Sequence, residues 1–189
     1  SYDFEDGLSD KSANEYDAEN GKNAEVKDGE LVLKGGESYI STPLDKVGPE
    51  KELSFDITLT QPAEPGQILF EAEKDEDHEA YSTHNIRIME DGTLGFTREG
   101  YDYSFGYKLP VNQKMTLKIR TKNGSTVLIA DGKEYKATGS FTYEGDVKKT
   151  GITSSTLSLP LTRIGSDTNA VHATVSYTHL RAHETRSNL

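Results

Sequence analysis

The chain has 189 residues, of which 33% are hydrophobic, and a formal net charge of −11. The length suits one domain, and the low apolar content favours a thin sandwich over a thick α/β body. The charge argues against nucleic acid and anionic membrane as partners, the absence of Cys excludes disulfides and thiolate metal sites, and no apolar run approaches the ~20 residues that span a bilayer.

In chain order, the first clear signal is "AEVKDGELVLKG", two alternating runs joined at Asp28-Gly29, which predicts a hairpin. "ELSFDITLT" follows, with Leu53, Phe55, Ile57 and Leu59 on one face and Ser54, Asp56, Thr58 and Thr60 on the other. That period of two marks a strand packed on one side. "QILFEAE" is a further candidate strand. Next comes "EKDEDHE", Glu73 to Glu79, the nearest approach to the Glu-x-Asp-x-x-Glu pattern that seats acid and nucleophile on one glucanase strand. His78 stands where the last Glu should be, and Lys74, Glu76 and Asp77 leave no apolar face to seat a strand. A solvated acidic loop is the expectation.

"NIRIMEDGTLGFTRE" predicts a second hairpin at Asp91-Gly92, with Ile86 and Ile88 inward and Asn85 and Arg87 on the opposite face. In "GYDYSFGY", Tyr101, Tyr103, Phe105 and Tyr107 share one strand face, continued by Leu109, so most of this stripe should be core. The other face, Asp102, Ser104 and Gly106, is small and polar and could floor a shallow groove. Sugars are held by aromatic stacking and by charged or amide groups on hydroxyls. The candidate carbohydrate-binding residues are therefore Asn85, Arg87, Arg98 and Asp102, with Tyr101 at the strand end as the stacker. The chain has no Trp, which argues against tight sugar binding.

"LKIRTKNGSTVLIADGKEYKA" predicts turns at Asn123-Gly124 and Asp131-Gly132, and "SLPLTRIG" another strand. The last strand should run from about Ala170 to near Tyr177, since Val171, Ala173, Val175 and Tyr177 alternate with His172, Thr174, Ser176 and Thr178. His179 to Leu189 should be irregular. With His78, His84 and His172 scattered through the chain ahead of its C-terminal tail, a multi-histidine metal site is not expected. No amphipathic helix of ordinary length is present. On the order of a dozen short strands at regular spacing imply an all-β, two-sheet antiparallel β-sandwich.

Several segments resemble bacterial laminin-G-like, or concanavalin A-like, lectin modules. They are "YDFEDGLSDKSANEYDAENGKNAEVKDGELVLKGGESYISTP", "LSFDITL", "DGTLGFTREGYDYSFGYKLPVNQKMTLKIRTKNGSTVLIADGKEYKA" and "LPLTRIGSDTNAVHA". "TREGYDYSFGY" followed by "LPLTRIGS" is most similar to modules attached to family 20 glycoside hydrolases, the β-N-acetylhexosaminidases and lacto-N-biosidases. The resemblance implies a concanavalin A-like jelly roll acting as a non-catalytic, weakly glycan-binding accessory module of an extracellular or cell-surface bacterial glycoside hydrolase, with a linked catalytic domain. It also implies a calcium ion near the N-terminus, for which Asp3, Glu5 and Asp6 are the candidate ligands. The alternatives are a structural spacer that packs on its parent enzyme, or a glucanase of the same fold.

The C-terminal tail carries a different resemblance. Val175 to Glu184 can be encoded by GTC TCT TAT ACA CAT CTC CGA GCC CAC GAG, which resembles the transposase adapter used to build sequencing libraries. Residues 1–173 are therefore expected to be the module, a piece of a longer protein. Residues 174–189 are expected to be a translated adapter whose first residues complete the last strand.

Overall fold

The computed structural model describes the chain except residues 14, 48–50, 73–84, 99–100, 123, 145, 153–158, 167–173 and 185–189. The acidic Glu73 to Glu79 segment, His78, His84 and His172 thus lie outside the described residues. The described residues form strands and turns and contain no helix.

The described residues form sixteen strands. They are β1 Glu19–Lys22, β2 Ala24–Lys27, β3 Glu30–Lys34, β4 Ser38–Val47, β5 Lys51–Leu59, β6 Ile68–Glu71, β7 Asn85–Ile88 and β8 Leu94–Arg98. The second half supplies β9 Tyr101–Tyr107, β10 Lys114–Lys122, β11 Ser125–Ala130, β12 Lys133–Lys136, β13 Thr138–Glu144, β14 Val147–Ile152, β15 Leu159–Ser166 and β16 Thr174–Glu184. They build two antiparallel sheets: a nine-stranded one in the order β1-β4-β15-β6-β7-β8-β9-β13-β14, and a seven-stranded one in the order β12-β11-β10-β5-β16-β3-β2. This is the two-sheet antiparallel sandwich that the alternating pattern predicts.

Each predicted hairpin forms. In β2–β3, Lys27 faces Glu30 across Asp28 and Gly29, whose φ values are 52° and 74°. In β11–β12, Ala130 faces Lys133 across Asp131 and Gly132, at 51° and 71°. Two consecutive left-handed residues give the turn whose twist matches that of the strands, and Asp-Gly adopts it with little strain. Tyr2 makes a single bridge, and the chain then turns, with Phe4 at a φ of 61°. Both rings are nonetheless buried in the core.

The core lies between the sheets. Leu53, Phe55, Ile57 and Leu59 of β5 and Met115, Leu117 and Ile119 of β10 face Phe70, Ile86, Ile88, Phe96, Tyr103 and Phe105 of the larger sheet. Phe55 meets Phe70 edge-on at 5.0 Å, joining the two layers. Tyr103, Phe105 and Tyr107 are all buried, as their shared parity predicts. Tyr103 stacks on Phe96 with ring centroids 5.0 Å apart. Tyr103→Ala is expected to lower unfolding free energy by about 3 kcal/mol, the usual cost of an aromatic-sized void. Urea denaturation checks this; a loss no larger than a surface change, ~0.5 kcal/mol, would place the ring outside the core.

The last strand is longer than predicted. β16 pairs with β3 over Thr174 to Tyr177, and with β5 as far as Glu184 opposite Lys51. The register slips between Tyr177 and His179. That irregularity shifts the register by one residue, so that Leu180 and Ala182 pair with Phe55 and Leu53 across the ladder. Continuous alternation was assumed in ending the strand near Tyr177, and a one-residue bulge breaks that assumption.

Candidate functional site

Two adjacent rungs of the nine-stranded sheet organise its faces. One rung runs Ile40, Ile164, Phe70, Ile86, Phe96, Tyr103, each residue directly opposite the next. The next runs Ser41, Arg163, Glu71, Asn85, Thr97, Asp102. Directly paired residues share a face, and neighbours along a strand take opposite faces. The apolar rung points into the core, so the polar rung crosses the face turned away from it.

Two groups of side chains form along this polar rung. At one end, Arg163 Nη1 lies 3.5 Å from Glu71 Oε1, while Ser166 Oγ donates to Glu71 Oε2 at 2.7 Å. Glu71 is fully buried, and the Arg163 guanidinium also lies 4.8 Å from the centre of the Tyr39 ring. At the other end, Arg87 Nη2 donates to both oxygens of Asp102, at 2.9 and 3.0 Å. Thr97 Oγ1 donates to Asp102 Oδ1 at 2.6 Å. This second pair is reachable from solvent, with side-chain exposures of 29% for Arg87 and 35% for Asp102. Arg87 Nε is buried and has no hydrogen-bond partner.

The sequence-derived candidates divide between two places. Arg87 and Asp102 come together as an ion pair. Asn85 shares their face but is only 1% exposed. It is thus a buried neighbour of the pair, which corrects its assignment as an accessible contact. Arg98 and Tyr101 face each other on the next rung, with the parity of Phe96 and Tyr103. They sit at the end of β8 and β9, where Tyr101 is 39% exposed. They do not share a face with Arg87 and Asp102.

The expected calcium ligands do not converge. The Asp6 carboxylate pairs with Lys11, and Asp3 Oδ1 accepts the Glu5 backbone N–H at 3.2 Å. Among the described residues, no three Asp, Glu, His or Cys side chains stand close enough to share an ion. The left-handed turn at Phe4 sends that ring inward and leaves Glu5 and Asp6 exposed, and Lys11 supplies the positive charge beside Asp6.

Glu71, Thr97, Arg163 and Ser166 were not foreseen as members of this face. A signal existed: a charged residue at an outward position of an otherwise apolar strand, as in "ILFE" and "LTRIG", asks for a cross-strand partner. Which partner it finds depends on strand order.

No protein-family profile and no curated protein sequence matches the chain. Solved structures do. Domain 4 of AbnA, a GH43 extracellular arabinanase from Geobacillus stearothermophilus in complex with arabinotriose, is 20% identical with a TM-score of 0.60, over 96% of this chain and 88% of that one. Trypanosoma rangeli sialidase is 14% identical with a TM-score of 0.56, over 92% of this chain; the chain spans only 28% of the sialidase. Cellulose induced protein, Cip1, is 13% identical with a TM-score of 0.54, over 100% of this chain and 98% of that protein. At these identities the likeness establishes the fold: this chain is a two-sheet β-sandwich.

Proposed function

We propose that the domain is a non-catalytic carbohydrate-binding module of a larger extracellular glycoside hydrolase, holding glycan weakly against the outer face of its nine-stranded sheet. The observation that carries this reading is the half-exposed Arg87–Asp102 pair on that face, a donor and an acceptor side by side. The arabinotriose complex of the similar arabinanase domain supports it. Such a module acts by targeting: a weak contact raises the local substrate concentration for a linked catalytic domain.

Catalysis by this face is disfavoured on geometry. Among the described residues, the carboxylates of the polar rung, Glu71 and Asp102, belong to β6 and β9, with β7 and β8 between them. Three strand spacings put them roughly 14 Å apart. Glycoside hydrolysis needs two carboxyl groups about 5–9.5 Å apart. Each is also held by an arginine.

Binding is expected in the high-micromolar to millimolar range, roughly −4 to −6 kcal/mol. Arabinotriose and a panel of neutral oligosaccharides, titrated against the labelled domain by NMR, measure it. Asp102→Ala should weaken binding without lowering Tm appreciably. Absence of any shift at millimolar sugar, or release of hydrolysis products, would sink the proposal.

A further inference from the structure

We propose that the Arg87–Asp102 pair makes this site selective for neutral glycans presenting a vicinal diol, and that Asp102 is the residue that rejects acidic sugars. The inference rests on the glycan-binding reading above and adds the class of sugar.

The argument starts from how the pair is made. One guanidinium nitrogen, Nη2, contacts both carboxylate oxygens, at 2.9 and 3.0 Å. A side-on fork would have used two nitrogens. The other terminal nitrogen, Nη1, is therefore not spent on Asp102, whereas Nε is buried. Asp102 Oδ1 already accepts from Thr97 at 2.6 Å as well as from Arg87. Oδ2 accepts from Arg87 alone, so it keeps a free lone-pair direction. The exposed edge of the pair thus offers an N–H donor next to a carboxylate acceptor.

Two adjacent hydroxyls on a pyranose or furanose ring complement that edge. One oxygen accepts from the guanidinium, and its neighbour donates its proton to Oδ2. A uronic acid keeps its ring hydroxyls, so what sets it apart is its carboxylate, which has no proton to give Oδ2. The charge of Arg87 is cancelled by Asp102, and an approaching uronate would face Oδ2 with no proton to give. The net charge of −11 adds long-range repulsion. An unpaired arginine on this face would select the opposite class, since a bare guanidinium is a carboxylate receptor.

The test compares matched neutral and acidic sugars. Galactotriose, cellotriose, chitotriose and arabinotriose, with trigalacturonate as the acidic counterpart of galactotriose, are titrated by NMR against the wild-type domain, Asp102→Asn and Arg87→Gln. Melting curves verify folding. The expected result is binding of one or more neutral sugars, with trigalacturonate at least about tenfold weaker. Asp102→Asn should lose about tenfold for the neutral sugar and bind trigalacturonate more tightly than wild type does. That gain is a readout that a merely structural role would not produce. Amide shifts on wild type should centre on residues 85–88, 95–98 and 101–104, which keeps the test decisive if a variant fails to fold.

Trigalacturonate binding as tightly as the neutral sugars would overturn the charge rule and leave glycan binding standing. Neutral binding unchanged in both folded variants, or shifts centred elsewhere, would overturn the site. No response to any sugar at about 10 mM would overturn this inference together with the reading it rests on.

Discussion

Deletion of residues 174–189 is expected to abolish cooperative unfolding. β16 occupies the middle of the seven-stranded sheet, between β5 and β3. Its loss would divide that sheet into β12-β11-β10-β5 on one side and β3-β2 on the other. The backbone edges of β5 and β3 would be opened along the whole of their pairing with β16. Both strands carry fully buried side chains, among them Leu31, Leu33, Leu53, Phe55, Ile57 and Leu59. A two-stranded remnant has no independent stability, and two long unpaired edges beside exposed core invite aggregation. Far-UV circular dichroism during heating is the measurement. The truncated chain should show no sigmoidal transition or should precipitate. Removing only residues 185–189 should leave Tm unchanged, and removing 178–189 should fall between. A cooperative melt of the 1–173 chain at the full-length Tm would remove β16 from the sheet.

Replacing Glu71 by Ala should be the most damaging single change on the outer face. Its carboxylate is fully buried against Arg163 and Ser166. Removing one member of a buried pair strands the other charge, at a cost of about 3–5 kcal/mol. For a chain of this size that is a fall in Tm on the order of 10 °C. Arg163 retains the Tyr39 ring, but a cation–π contact does not replace the Glu71 carboxylate. The mechanism is separable by a double change. Glu71→Met with Arg163→Met fills the space with apolar atoms and removes both charges, so most of the lost stability should return. Equal destabilisation by the double and single variants would mean that shape at β6 and β15, not charge, sets the cost.

The sequence by itself determined the layers. Leu53, Phe55, Ile57 and Leu59 alternate with polar residues because a sandwich strand has one wet face and one dry one. The Asp-Gly pairs at 28–29 and 131–132 mark hairpins because both residues must enter the left-handed region. Parity alone separated Tyr103 and Phe105 from Asp102 and Ser104. These are local rules, read within a few residues, and the structure follows them.

Only the tertiary structure decided which polar residues meet. Strand order brings Arg163 of β15 beside Glu71 of β6, positions far apart in the chain. The same order sets Arg87 within reach of Asp102 across β8 and leaves Asn85 enclosed. It also carries β16 past Tyr177, since a bulge changes parity without leaving a mark in the alternating pattern. Periodicity reports which face a residue takes, but not which neighbour stands beside it. A site made of neighbours is therefore visible only once the strands are in order.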